Sequence, residues 1–108
     1  MNLLFICSRN KWRSRTAETI FKNRHGFQVQ SAGTEPSARI KVNQKMMDWA
    51  EMIFVMEKKH RQRLQQKFAI SPDTEIIVLD IPDDYQYMDP ELIEILEASV
   101  MNYFETHD

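Results

Sequence analysis

Leu3-Leu4-Phe5-Ile6-Cys7-Ser8-Arg9-Asn10-Lys11-Trp12-Arg13-Ser14 is the stretch on which the fold turns. Its first four residues are an unbroken apolar run, suited to a strand covered on both faces in a parallel sheet. Ala17, Ile20 and Phe21 then fall at helical spacing. The segment from Cys7 to Ser14 therefore joins a buried strand to the N-terminus of an amphipathic helix. There the first backbone N–H groups lack intrahelical acceptors and the macrodipole is positive, which favours an oxyanion at the loop's centre and negative charge on the sulfur beside it.

The residue types match that chemistry. Cys7, the single cysteine, is the candidate nucleophile. Arg13 offers a planar fork that pairs with two phosphate oxygens at once, which Lys11 cannot do. Ser14 carries a hydroxyl close enough to hydrogen-bond the sulfur and ease its departure from a phospho-enzyme. Ser8, Arg9, Asn10, Lys11, Trp12, Arg13 and Ser14 together form the expected phosphate cradle. A strand-end cysteine can also be only a small hydrophobe; the preceding strand, the following helix and the serine after Arg13 weigh towards catalysis.

On these residues the chain resembles the low-molecular-weight protein tyrosine phosphatases, whose signature is a strand, Cys-x5-Arg-Ser, and a helix opening with Ala-Glu. Here those positions are Cys7, Arg13, Ser14, Ala17 and Glu18. Asn10 matches the family's loop asparagine. Ser31-Ala32-Gly33-Thr34 supplies the serine expected to support it, and Met52-Ile53-Phe54-Val55-Met56-Glu57 resembles the family's third strand and its Met-Asp/Glu end. The chain departs from the pattern at Arg9, where the family has glycine, and at Trp12, often a second cysteine. Because Arg9 lacks glycine's tolerance of positive φ, either that position is not left-handed here or the loop stores strain.

Strand and helix signals alternate along the chain, which gives an α/β pattern. Strands are expected at residues 3–6, 27–30, 52–56 and 75–79, with helices from the cradle to about His25-Gly26, near 42–49, over 57–68, and from Asp89-Pro90 onward. With right-handed crossovers the expected architecture is three-layer α/β/α around a four-stranded parallel sheet. The resemblance implies the order 2-1-3-4, shortened relative to the family between Thr34 and the third strand. One domain over 1–108 is expected from the length and from a composition 43% hydrophobic. A monomer is expected too. Met46, Met47, Met52 and Met56 read as core filler, Lys58, Lys59, Arg61 and Arg63 as a solvated helix face, and His60 as a surface histidine.

Expelling an alkoxide or phenolate from a phosphate ester needs a proton on the leaving oxygen. The family supplies an aspartate after the last strand, and this chain has Asp80-Ile81-Pro82-Asp83-Asp84-Tyr85 there. Asp80 follows the strand directly, at the carboxyl edge where open α/β sheets place ligands, and is preferred over Asp83, with Asp84 third. Tyr85 and Tyr87 are expected to wall the substrate cleft; Trp12 either faces them or packs beneath the loop. The expected activity is a cysteine-dependent phosphomonoesterase acting on phosphotyrosine in a protein or on a small aryl phosphate. The alternatives are a phosphate- or phosphopeptide-binding module with little turnover and an arsenate reductase, whose thiol relay would need further cysteines. No cofactor or metal is implied, since three scattered histidines and one cysteine give no zinc spacing. A net charge of −2 argues against general nucleic-acid binding, and the absence of a signal-like or membrane-spanning apolar run points to a cytoplasmic protein.

Overall fold

The computed structural model describes residues 1–106. Four strands, β1 (Asn2–Cys7), β2 (Gln28–Gly33), β3 (Met52–Val55) and β4 (Glu75–Val78), form one parallel sheet in the order β2-β1-β3-β4. Register is set by pairs such as Phe5 with Ser31 and Phe54, and Val55 with Val78. Four helices cover the sheet: α1 (Arg13–Phe21), α2 (Gln44–Trp49), α3 (Lys58–Lys67) and α4 (Pro90–Thr106).

The alternation of side chains along a strand sorts the core into two layers. From β1, Leu3, Phe5 and Cys7 share a face with Phe54 and Met56 and meet Ala17, Ile20 and Phe21 of α1 and Leu92, Leu96 and Val100 of α4. Leu4 and Ile6 point the other way, with Ile53 and Val55, onto Val42, Met47 of α2 and Leu64 of α3. Because both faces of β1 are covered, its apolar run is continuous. Phe5 stacks between Phe21 and Phe54, with ring centroids 5.7 and 5.3 Å away.

The boundaries differ from expectation at two places that matter for the site. Helix α1 stops at Phe21, with three left-handed residues, Asn23, His25 and Gly26, making the turn before β2. Strand β2 begins at Gln28 and runs on through Ser31 to Gly33, because it pairs with the whole of β1 up to Cys7. The pairing Cys7–Gly33 brings the cradle against the segment that follows β2. A Cβ built on Gly33 would lie 2.5 Å from the Ser8 carbonyl oxygen and 2.7 Å from Ala38 Cβ. Gly33 is therefore required by close approach of two backbones.

Replacing Gly33 with alanine is expected to push the Ser8 peptide out of place and to cost ~1–3 kcal/mol of stability, as overpacking does elsewhere. Chemical denaturation of Gly33→Ala beside the wild type measures this; an unchanged midpoint would mean that the loop shifts freely.

Candidate active site

Cys7 closes β1, 3% exposed, and the chain leaves the sheet at Ser8. The carbonyls of Cys7, Ser8 and Arg9 accept hydrogen bonds from the amides of Thr34, Glu35 and Arg39, at 3.0, 2.9 and 2.9 Å, and the Asn10 carbonyl accepts from Arg39 Nε at 3.1 Å. Since a trans peptide sets its N–H opposite its C=O, four successive N–H groups are turned the other way, towards the centre of the loop. The amides of Lys11 through Ser14 donate to no acceptor among the described residues. Trp12 occupies the N-cap position of α1 and its indole caps nothing. The left-handed residue of the loop is Asn10, at φ 57°, and Arg9 is not among the positive-φ residues. Position 9 therefore needs no glycine here, and the left-handed position falls on asparagine, a residue that tolerates it.

Asn10 is fully buried and is the hub of a polar chain. Its Nδ2 donates to Ser14 Oγ at 2.7 Å and to Ser31 Oγ at 2.9 Å, so Ser31 does meet the loop asparagine. Ser31 in turn donates to the carboxylate of Glu18. Ser14 Oγ accepts from Asn10 and lies 2.9 Å from Cys7 Sγ and 3.4 Å from the Ala32 carbonyl, so its one proton is shared between a short contact to the sulfur and a longer one to that carbonyl, while the Asn10 amide donates to the same sulfur at 3.2 Å. The Ser14 hydroxyl and the Asn10 amide therefore both face the sulfur.

Arg13 is 2% exposed. Its Nη1 donates both to Glu57 Oε2 at 2.6 Å and to the Ile81 carbonyl at 2.8 Å, and its Nε lies 3.6 Å from Asp83 Oδ1. The other edge of the guanidinium, Nε and Nη2, makes no hydrogen bond among the described residues. That edge is the fork that matches two oxygens of a phosphoryl group. Burial pushes the Glu57 carboxyl up, but the hydrogen bond and charge of Arg13 outweigh it and hold the group below its ordinary value.

A cavity opens here, lined by Cys7, Ser8, Arg9, Lys11, Trp12, Arg13 and Asp83. Trp12 is 41% exposed and stands at its wall, not beneath the loop. Asp83 lines the cavity, whereas Asp80 lines a separate depression with Glu57, Lys58, Lys59, Ile81 and Pro82. The reason is local: Asp80 is left-handed, at φ 56°, and this turn swings Ile81 into the core and its carbonyl onto Arg13, leaving the Asp80 side chain outside. The preference for Asp80 drawn from its place after the strand is thus not matched by the geometry. Asp84 is exposed and absent from the cavity lining. Tyr85 and Tyr87, expected as cleft walls, do not line the cavity either: Tyr85 packs against the apolar core, and Tyr87 hydrogen-bonds Thr19 at 2.9 Å beneath the guanidinium of Arg15.

His60 was expected on the surface and is fully buried. Its Nδ1 accepts the Glu57 amide at 3.0 Å, which leaves the proton on Nε2, 2.9 Å from Ser8 Oγ. Burial first, and then the charge of Arg13, lower its pKa to about 4, so it is a neutral strut between α3 and the cradle. The signal in the sequence was position: the third residue of a helix whose N-cap, Glu57, lies two residues past β3. Among the described residues no group of His, Cys, Asp and Glu side chains is placed to hold a metal ion, and no helix is long and apolar enough to cross a membrane.

No family model and no curated protein sequence matches this chain. Solved structures do match it. A low-molecular-weight protein tyrosine phosphatase from T. tengcongensis superposes with a TM-score of 0.76 at 18% identity, covering 98% of this chain and 99% of that one. The YwlE arginine phosphatase from Geobacillus stearothermophilus gives 0.68 at 17% identity, covering 98% and 94%. A YwlE arginine phosphatase in a cysteine-to-serine mutant form, with a phosphorylated active-site serine, gives 0.71 at 19% identity, covering 97% and 96%. The chain therefore has the fold of the low-molecular-weight protein tyrosine phosphatases across almost its whole length.

The neutral buried state of His60 makes stability depend on pH. Its folded pKa, about 4, lies below its ordinary value of 6.5, so between these values the unfolded chain binds a proton that the folded chain does not. Stability should fall as pH drops from about 6.5 towards 5, above the range where the carboxylates titrate. Denaturation at several pH values, on the wild type and on His60→Gln, checks this: the variant should show a flatter profile over that window, and equal slopes would count against a neutral buried His60.

Proposed function

We propose that this chain is a cysteine-dependent phosphomonoesterase acting on aryl phosphates such as phosphotyrosine, through a phosphocysteine on Cys7. The observation that carries this reading is the meeting, in one cavity, of Cys7 held by two donors, the open fork of Arg13, and the carboxyl of Asp83. In the first step the phosphoryl group lies on the loop amides and on Nε and Nη2 of Arg13. The sulfur forms a bond to phosphorus as the bond from phosphorus to the ester oxygen breaks, and Asp83 delivers a proton to that oxygen. In the second step Asp83 takes a proton from water as the water oxygen bonds to phosphorus, and the sulfur leaves as a thiolate stabilised by Ser14. Asp83, rather than Asp80, is assigned as the acid because it shares the cavity with the sulfur.

An arginine phosphate, the chemistry named for two of the fold neighbours, would bring a guanidinium leaving group. Asp83 is the only acidic residue lining this cavity among the described residues, beside Arg9 and Lys11, so an uncharged aryl leaving group fits it better.

Cys7→Ser is expected to abolish turnover while retaining binding of phosphate or vanadate, because the cradle is made of backbone and Arg13; near wild-type activity would exclude Cys7 as nucleophile. Arg13→Lys keeps charge but loses the fork, and should cost ~2–4 kcal/mol of transition-state stabilisation. A loss of catalytic efficiency below about tenfold would remove the clamp role. Asp83→Ala should slow phosphotyrosine hydrolysis by ~10²–10⁴ and nitrophenyl phosphate much less, since a good leaving group departs without full protonation. Asp80→Ala should show no such dependence. If neither variant shows it and the wild type releases no phosphate from aryl esters, the chain is a phosphate-binding module.

A further inference from the structure

The mouth of the cavity carries more positive charge than one phosphoryl group uses. Arg13 and the loop amides already suffice for a transferred phosphoryl. Arg9 and Lys11 also line the cavity, are exposed, and form no salt bridge among the described residues. The nearby acids are otherwise engaged: Glu57 by Arg13, Glu35 by Arg63 at 2.6 Å, and Asp83 beside Arg13. Lys58 and Lys59 line the adjoining depression together with Asp80, and Lys59 Nζ lies 3.9 Å from the Glu57 carboxylate that Arg13 also holds. This concentration arises in a chain whose net charge is −2, so it is local to the cleft. With Arg9 and Lys11 beside the single carboxylate of Asp83, the rim is net positive, and such a field over a low-dielectric cavity raises the local concentration of an oppositely charged ligand. The left-handed residue of the loop is Asn10, and Arg9 keeps negative φ with its side chain exposed at the rim.

We infer that Arg9 and Lys11 select the chain around the phosphorylated residue, and that the substrate is phosphotyrosine flanked by acidic residues. This rests on the phosphomonoesterase reading, which places the transferred group on Arg13 and leaves the two rim cations to contact what lies on either side of it. Trp12, at the same rim, offers an apolar face to the peptide between the charges.

The test uses phosphotyrosine peptides of one length with Asp/Glu, neutral or Lys/Arg flanks, and nitrophenyl phosphate as a substrate without flanks. For the wild type, the ratio of kcat/KM between acidic and basic peptides should be roughly tenfold at low ionic strength. It should shrink to about twofold near ~0.5 M salt, where the Debye length is only a few ångströms. In Arg9→Glu/Lys11→Glu the ratio should fall below one, and Lys11→Glu alone, at an exposed site, should lower it in the same direction if the double variant does not fold. A wild-type ratio near one, or a ratio that survives both variants, would overturn the inference. Hydrolysis of nitrophenyl phosphate by the wild type and not by Cys7→Ser tests the underlying reading separately. If nothing is hydrolysed, calorimetric titration of the same peptides into the wild type still reads the preference, and equal affinities would sink it.

Discussion

The buried guanidinium of Arg13 is the constraint around which the molecule is arranged. A charge held at 2% exposure is tolerated only when it is paired and hydrogen-bonded. Its partners come from the loops after two other strands: Glu57 just past β3, and the Ile81 carbonyl and Asp83 past β4. Arg13 itself opens α1 after the cradle. One side chain thus joins the carboxyl edges of β1, β3 and β4. Because Nη1 donates to both Glu57 and the Ile81 carbonyl, the orientation of the remaining edge, with Asp83 3.6 Å from Nε, is set by the fold.

The cradle is shaped from the opposite side by the segment after β2. Thr34, Glu35 and Arg39 take the loop's carbonyls, and this leaves the amides facing inward. Gly33 allows the two backbones to approach that closely. From the same strand, Ser31 joins the chain from Glu18 through Asn10 and Ser14 to Cys7, in which the acceptor-only Glu18 carboxylate takes the Ser31 proton and the Asn10 amide donates to both serines. Helix α3 closes the ring, with His60 reaching from Glu57 to Ser8. Positions distant in sequence therefore converge on the loop by hydrogen bonds of defined direction, and this rigidity is what a preorganised anion site requires.

Much of this was legible beforehand. The continuous apolar run of residues 3–6 required a strand covered on both faces, and the alternation of strands and helices required a parallel sheet. Both followed from periodicity, because burying an apolar face is a local property repeated along the chain. The proximity of Cys7 and Ser14 was read from a short stretch, since spacing within a strand–loop–helix unit dictates which side chains face one another, whereas the Asn10–Ser31 contact was expected only from the family resemblance. The misplacements share a different origin. His60 sits in a polar helix, and nothing within α3 shows that its one buried histidine points at the Ser8 hydroxyl. Asp80 looked better placed than Asp83 because its left-handed conformation, which turns Ile81 inward and itself outward, is not written in a spacing. Tyr87 meets Thr19 and Arg15 of α1, a contact between segments far apart in sequence.

By itself, then, the sequence determined the elements, the faces they bury and the residue types of the cradle, because those depend on neighbours within one turn or one strand. Only the tertiary structure decided which carboxylate shares the cavity with the sulfur, which edge of Arg13 stays open, and which cations are left unpaired at the mouth. Those outcomes are differences between competing partners drawn from β3, β4 and the loops that follow them. A competition among groups more than forty residues apart is resolved by packing, not by any pattern along the chain.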